Sequence, residues 1–159
     1  MLSATASHIL LAFAATLLSV ASSQARTLER MSAVATPRNV SVSYDRMYDE
    51  GETPFSAVSC SDWMAAKGYS TFAALPSFPH IAGADTVDGS NSALCGQCWQ
   101  LTYDTPTEMS GHFLIIDSAK KGFTIAQRAM DDLTDGQAAR LGRVDAVGTV
   151  VARSHCGMH

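Results

Sequence analysis

The sequence predicts an all-β domain with small helices, built as a barrel or a sandwich. Short segments in which apolar and polar residues alternate outnumber the one clear helical segment, and glycines and prolines separate them. Four cysteines in a short chain indicate two disulfide bonds that staple a small core. The residue pattern alone does not choose between a barrel and a sandwich.

Four segments have the alternation that is typical of strands with one buried face. The first of them, Val-Ser-Val-Ser-Tyr, alternates strictly, and Gly148 predicts a bulge or bend in the last. The predicted strands cover residues 40–44, 98–103, 112–116 and 143–151.

Two helical segments and a long loop are predicted between the strands. Asp62 is placed to cap a single turn over residues 63–67. Thr124 is placed to cap a helix over residues 125–133, in which apolar residues recur at every fourth position. Residues 75–91 hold two prolines and two glycines, which predicts an ordered surface loop of irregular structure.

An apolar run near the N-terminus determines the predicted compartment. Residues 9–20 form a run of 12 mostly apolar positions, which is too short to cross a bilayer comfortably and is typical of a signal peptide. Small residues near its end predict a signal peptide of residues 1–25 that is cleaved after Ala25, with Ala21 as the alternative. We therefore expect a secreted protein.

The chain after the signal peptide divides into a leader and one domain. Residues 26–39 lack a sustained period and carry three arginines, which predicts a flexible leader. Residues 40–159 have the length of a single small domain. Asn39 begins an Asn-Val-Ser sequon, which a secreted chain can glycosylate.

The charge balance argues against two classes of partner. The net charge is −4, and from residue 40 onward 8 basic residues stand against 14 acidic ones. An acidic domain repels phosphate backbones and anionic lipids. The sequence therefore predicts neither nucleic-acid binding nor membrane insertion, whereas a neutral glycan imposes no charge requirement.

The four cysteines allow three pairings. The Cys-Gly-Gln-Cys element at residues 95–98 also resembles a redox site or half of a zinc knuckle. A zinc ribbon needs a second closely spaced pair, and a thioredoxin-like site needs a parallel βαβ setting; the sequence has neither. We therefore expect structural disulfides, with their pairing left open, among Cys60, Cys95, Cys98 and Cys156.

Several segments of this chain recur together in one protein family. They are VSVSYD at 40–45, CSD at 60–62, KGYSTFAALPSFPHIAGA at 67–84, NSALCGQCWQLTY at 91–103, GFTIAQRAMDDLTDGQAARLGRVDA at 122–146 and SHCG at 154–157. Over essentially the whole of residues 40–157, and with all four cysteines in order, the chain resembles the cerato-platanin family.

The resemblance implies a six-stranded double-ψ β-barrel, similar to the first domain of expansins, to barwin-like proteins and to family 45 endoglucanases. It also implies that Cys60 pairs with Cys95 and that Cys98 pairs with Cys156. These bonds close loops of 35 and 58 residues. Loop-closure entropy then predicts that each bond stabilises the fold by roughly 4 kcal/mol.

The resemblance also implies a function. Cerato-platanins are secreted or wall-associated fungal proteins that use no cofactor. Several bind N-acetylglucosamine oligomers, loosen polysaccharide without cutting it and provoke plant defence responses. We therefore expect a secreted, monomeric, non-catalytic protein of the extracellular space and cell wall, without metal or cofactor. Its expected partners are chitin oligomers, cell-wall polysaccharide and a plant immune receptor.

Asp117 is the first candidate for glycan binding. It ends an apolar strand, where its carboxylate is presented at a barrel rim, and the matching Asp of the family lies in the glycan-binding groove. The alternative from the sequence alone is an Asp that caps a turn. The resemblance places four further residues in the same groove: Asn91, Ser92, Ser118 and Thr124.

Two departures from the family pattern lie in this groove. Ser90 replaces a tryptophan, and Ser118 with Lys120 replaces a histidine and a glycine. Loss of the tryptophan removes a stacking surface worth about 1 kcal/mol. Chitin binding is therefore expected to be weaker than in a typical family member.

Tyr44, Asp45 and Tyr48 form an aromatic and acidic rim that is predicted to line the same groove, with plain solvent exposure as the alternative. Trp99 follows a cysteine within a strand and is predicted to lie in the core. The five histidines show no spacing that is typical of metal ligands.

Two alternative functions compete with glycan binding. Related barrels hydrolyse glucans with two carboxylates, which inverting enzymes hold roughly 6.5–9.5 Å apart. Asp117 with Asp45 is the only pair to propose here, and no motif supports Asp45 as the partner. The other alternative is a self-assembling fungal surface protein, which forms films without glycan dependence. We expect a binding protein and not an enzyme.

Overall fold

A computed structural model of the protein describes residues 35–90, 92–104 and 106–159. The predicted signal peptide, most of the predicted leader and the candidate residue Asn91 lie outside these ranges. Within them, no helix has the length and apolar character needed to cross a membrane.

Six strands close into a barrel, which confirms the predicted all-β class and the six-stranded barrel that the resemblance implies. The strands are β1 (Arg38–Tyr44), β2 (Ile81–Ala84), β3 (Cys98–Asp104), β4 (Glu108–Ser118), β5 (Phe123–Ile125) and β6 (Arg143–Val151). Their order around the barrel is β1-β5-β2-β4-β3-β6, and β6 pairs with β1 to close it. Inward-pointing side chains such as Val42, Leu101 and Leu114 are fully buried.

All four predicted strands are present, with some changes of length. β6 has the predicted bounds, and β3 is one residue longer than predicted. β4 extends the predicted segment in both directions. Its N-terminal part forms a long hairpin with β3 from Cys98–Leu114 to Asp104–Glu108, and its last residues, Asp117 and Ser118, pair with β2. β1 begins at Arg38, so its first two residues fall within the predicted leader.

Gly148 does not form the predicted bulge. Its register continues without a shift, opposite Arg38 on β1 and Leu101 on β3. A β-carbon at this position would lie 3.3 Å from both Trp99 and Val40. The glycine therefore makes room for the core, where Trp99 is 6% exposed as the sequence predicts.

The predicted loop over residues 75–91 contains the central strand β2. All four of its residues are buried, and it pairs parallel with β4 and antiparallel with β5. A strand that is buried on both faces shows no alternation, which is why the Ile-Ala-Gly-Ala segment resembled a loop. The register shifts between Ala82 and Gly83, and this irregularity changes the direction of the end of the strand.

The predicted cap and start of the main helix are wrong. Thr124 lies within β5, and the helix α2 covers Gln127–Thr134. Its N-terminus is capped by a residue distant in sequence: the Asp49 carboxylate accepts hydrogen bonds from the backbone N–H groups of Gln127 (2.9 Å) and Arg128 (3.1 Å). Such a cap leaves no local signal at the helix start.

The other helices are short. α1 covers Ser61–Ala66 and has Cys60 at its N-cap, so Asp62 lies inside the first turn and is not the predicted cap. α3 covers Ala138–Leu141. Single 3-10 turns also occur, among them Arg46–Asp49 after β1 and Arg153–Cys156 after β6.

Two disulfide bonds join Cys60 to Cys95 and Cys98 to Cys156, which confirms the pairing that the resemblance implies. Both bonds are buried. They fit a protein that folds in an oxidising, extracellular environment.

Candidate functional site

Five residues lie side by side across five neighbouring strands on the outer face of the barrel. The strand registers pair each with the next. In order around the barrel they are Arg143, Ser43, Thr124, Gly83 and Asp117. Directly paired residues point to the same face of a sheet, and with strands about 4.8 Å apart the set extends over roughly 19 Å. We call these five residues the polar row.

Gly83 lies in the middle of the polar row, beneath two polar groups. A β-carbon at this position would lie 2.7 Å from the Ser118 carbonyl oxygen and 2.9 Å from the Tyr48 hydroxyl. Such a β-carbon would point to the same face as the side chains of Thr124 and Asp117, so a glycine lets these two polar groups lie over the strand. Gly83 is therefore buried, and the Tyr48 hydroxyl and the Ser118 carbonyl cover the row between Thr124 and Asp117.

The Asp117 carboxylate is held by three donors. Its Oδ1 accepts hydrogen bonds from the backbone N–H groups of Ser59 and Ser118, each at 2.8 Å, and its Oδ2 accepts one from the Tyr48 hydroxyl at 2.9 Å. The side chain is half-buried. Asp117 thus acts as a local cap, as the alternative interpretation predicted, and it also presents a fixed carboxylate at the rim.

Tyr48 does not lie on an exposed rim, because only 3% of it is accessible to solvent. Burial, and then the charge and hydrogen bond of Asp117, raise the pKa of Tyr48 far above its usual range. The hydroxyl therefore stays protonated and donates to Asp117. The role of Tyr48 is to hold the Asp117 carboxylate in position.

Hydroxyl groups surround the carboxylate and continue along the row. The Ser118 hydroxyl lies 2.9 Å from that of Ser59, beside Asp117. Further along, the Ser43 hydroxyl lies 3.4 Å from that of Thr124 and accepts a hydrogen bond of 2.9 Å from Arg143. Each hydroxyl can donate or accept, so together they suit the mixed hydrogen bonding of a sugar.

The remaining candidates lie outside the polar row. Tyr44 follows Ser43 on β1, points to the opposite face and packs against the core. The Asp45 carboxylate accepts a hydrogen bond from the Met47 N–H at 2.8 Å and so caps its own turn. Ser92 uses its hydroxyl to accept a bond from the Leu94 N–H at 3.3 Å.

The sequence analysis did not predict three members of the row as site residues: Gly83, Ser43 and Arg143. Gly83 carried one usable signal, since a glycine inside a strand often marks the close approach of another group. Ser43 and Arg143 carried none, because only the register of β1 with β6 brings them to the row.

No metal site accompanies this surface. Within residues 35–90, 92–104 and 106–159, no group of three or more His, Cys, Asp or Glu residues is arranged to hold a metal ion.

Comparisons with known proteins agree with the fold. The family model "Cerato-platanin" matches residues 40–158. The chain is 42% identical over 120 residues to the heat-stable 19 kDa antigen of Coccidioides posadasii, covering 74% of this chain and 80% of the antigen.

Solved structures are similar over the same region. Cerato-platanin 3 from M. perniciosa is 41% identical with a TM-score of 0.72, covering 76% of this chain and 100% of that protein. The fungal elicitor cerato-platanin, solved in solution, is 33% identical with a TM-score of 0.63, covering 74% of this chain and 96% of that protein.

Proposed function

The chain belongs to the cerato-platanin family, and from this premise we propose that it is a secreted, non-catalytic protein that binds N-acetylglucosamine oligomers along the polar row. The observation that carries the proposal is the Asp117 carboxylate, which three protein donors hold in place beside a line of hydroxyl groups. A carboxylate has about four acceptor positions, so one is left for a sugar hydroxyl or an acetamido N–H.

The row suits a neutral and weakly bound ligand. The hydroxyl groups of Ser43 and Thr124 can each donate or accept a hydrogen bond, and the whole row spans roughly 19 Å, which is enough for several sugar rings. No aromatic ring lies in the row, and Ser90 stands where the family has a tryptophan. We therefore expect a dissociation constant of about 1 mM, which corresponds to roughly 4 kcal/mol of binding free energy.

The geometry supports binding better than hydrolysis. Asp117 is the only carboxylate among the five residues of the row, whereas inverting hydrolysis needs an acid and a base on opposite sides of the scissile bond. The Asp45 carboxylate, the only partner we could propose, accepts a hydrogen bond within its own turn. This arrangement supports a non-catalytic role.

The wider biological role that we propose is based on the family. One solved relative is described as a fungal elicitor. We extend this to the present chain: it acts at the fungal or plant cell wall, loosens polysaccharide without cutting it, and is sensed by a plant immune receptor. The two disulfides suit such an extracellular setting.

A backbone NMR titration with the N-acetylglucosamine trimer tests the proposal. We expect shifts centred on Asp117, Gly83 and Thr124. Asp117→Asn should weaken binding roughly tenfold or more, because hydrogen bonds to a charged acceptor are worth about 1.5–3 kcal/mol. Thr124→Val should weaken it roughly fivefold, since it removes one neutral hydroxyl.

Thr149→Val is the matched control, because Thr149 lies on β6 opposite Gln100 and outside the row. Equal weakening by Thr149→Val, or no shift along the row at millimolar trimer, would contradict the proposal. Release of reducing sugar from chitin that Asp117→Asn abolishes would favour a hydrolase instead. Films that form at an air–water interface without glycan would favour a self-assembling surface protein.

A further inference from the structure

A second surface has the composition of a site for an acidic sugar. Trp63 on α1 is half-buried, with Lys67 Nζ 5.7 Å and Arg153 Cζ 5.5 Å from its ring centroid. His155 lies in the same 3-10 turn as Arg153 and stacks on His112, with 4.9 Å between ring centroids. We propose that these five residues, the basic stripe, bind a polysaccharide of uronic acids, whose sugars carry carboxylates.

Trp63 forms a rigid platform in the stripe. Gly96, which has a φ of +73°, lies directly against the ring, and a β-carbon there would overlap it. The ring is therefore fixed from one side by backbone. Two cations also lie over the ring, so this fixed, partly exposed indole offers a sugar ring an apolar contact beside the cations rather than a free face.

The charges of Lys67 and Arg153 are available to a ligand. Both side chains are exposed, and none of the ion pairs found among the described residues includes either of them. They are held by the negative face of the Trp63 ring, which attracts a cation without neutralising it. A carboxylate bound between them would supply the missing counter-charge, and the Arg153 fork can bind it through two parallel hydrogen bonds.

The stripe continues into a surface pocket. His112 and His155 line a cavity of about 470 Å³ together with Pro76, Phe78 and Pro79. The rings of these three residues give apolar contacts and the two imidazoles give hydrogen bonds. One end of the stripe has an aromatic ring with two cations, and the other end has a polar pocket with apolar walls. This combination matches a chain of acidic sugars better than a single small anion.

Protonation of His112 changes the affinity of this site for a carboxylate. His112 faces His155 directly and lies near His80, while His80 pairs with Asp132 of α2 at 3.1 Å and Arg153 lies two residues before His155. Partial burial, and then the charges of His155 and His80, lower the pKa of His112. A bound carboxylate relieves this repulsion, so binding takes up protons and strengthens as the pH falls.

The basic stripe and the polar row are separate sites. β4 carries His112 near its middle and Asp117 near its C-terminal end, five residues apart, which is roughly 16 Å along a strand. A local basic surface on a chain of net charge −4 also explains how an acidic protein can bind an anion here without a general affinity for polyanions.

The test uses trigalacturonic acid and the two tryptophans. We expect the Trp63 indole N–H signal to shift on titration at about pH 5. The indole of Trp99 is buried and bonded to Gln97, so its signal serves as the internal reference and should not move. Affinity should fall about tenfold between roughly pH 5 and pH 8, since one charge-assisted contact is worth about 1.5 kcal/mol.

Charge-matched variants sharpen the test. Arg153→Gln should weaken trigalacturonate binding about tenfold, whereas Arg140→Gln, which removes an equal charge from α3, should leave it unchanged. Thr124→Val in the polar row should also leave it unchanged, so that failure of one site is distinguishable from failure of the other.

Three outcomes would overturn the proposal. One is an immobile Trp63 signal at saturating trigalacturonate. Another is equal weakening by Arg153→Gln and Arg140→Gln, which indicates only bulk charge. The third is an equal response to the N-acetylglucosamine trimer or to dextran sulfate, which indicates no preference for uronic acids.

Discussion

The polar row and the basic stripe are built in different ways. The row lies on five barrel strands, where backbone pairing sets the position of each side chain. Four of the five residues of the stripe lie on short elements beside the disulfides, and His112 lies on β4. Cys60 precedes α1, Cys95 precedes Gly96, and Cys156 ends the turn that carries Arg153. The barrel therefore positions one surface, and covalent cross-links position the other.

Removal of one disulfide should have the largest effect and should separate the two surfaces most clearly. Cys98→Ala with Cys156→Ala opens a loop of 58 residues and should lower the free energy of unfolding by about 4 kcal/mol. Below the unfolding midpoint, the variant should keep N-acetylglucosamine binding and lose trigalacturonate binding. Urea denaturation and the two titrations measure these effects.

The second disulfide provides the control. Cys60→Ala with Cys95→Ala opens a loop of 35 residues, for which loop entropy predicts a loss about 0.4 kcal/mol smaller. Parallel loss of both ligands in either variant would show that the two surfaces depend on the disulfides alike.

Each surface contains or contacts one glycine, and substitution of these glycines should have an effect of intermediate size. Gly83→Ala pushes against the Ser118 carbonyl and Gly96→Ala against the Trp63 ring. Overpacking costs about 1–3 kcal/mol in each case, and the positive φ of Gly96 adds about 1–2 kcal/mol. Each variant should lose the ligand of its own surface only, as titration of both ligands against both variants will measure. If Gly83→Ala abolished trigalacturonate binding, the two surfaces would not be independent.

The smallest expected effect is the pH dependence of stability due to His112. Its pKa is lower in the folded protein than in the unfolded chain. As the pH falls below about 6.5, the unfolded chain therefore takes up the proton first and the folded state loses stability. His112→Gln should flatten this part of the profile, leaving stability above about pH 8 unchanged. Thermal melts of both proteins across this range provide the measurement; identical profiles would contradict the assignment.

The sequence predicted well those elements whose pattern is long and local. β6 has the predicted bounds because its side chains alternate between exposed and buried for most of its nine residues. β2 was missed because it is short and buried on both faces. The last two residues of β5 were assigned to the cap and the start of a helix, because the spacing of Ile125 and Ala129 fits a helical face as well as it fits the end of a strand followed by a helix.

The candidate site was predicted in part for the same reason. Asp117 follows an apolar strand, which a local pattern can reveal. Gly83 and Ser43 join it only through the register of four strands that are distant in sequence. Tyr48 was expected at the surface, and its burial depends on the packing of its turn over the barrel.

The sequence by itself determined the class of the protein, its cysteine content and the family, because alternation, cysteine spacing and motif order are all readable along the chain. The resemblance implied a six-stranded barrel, but the tertiary structure alone decided the order of its strands and that Gly83 lies between Asp117 and Thr124. It alone brought Trp63, Arg153 and the His112–His155 pair onto one surface. The physical reason is that strand register and disulfide cross-links join residues far apart in sequence, and no local pattern encodes which distant partners will meet.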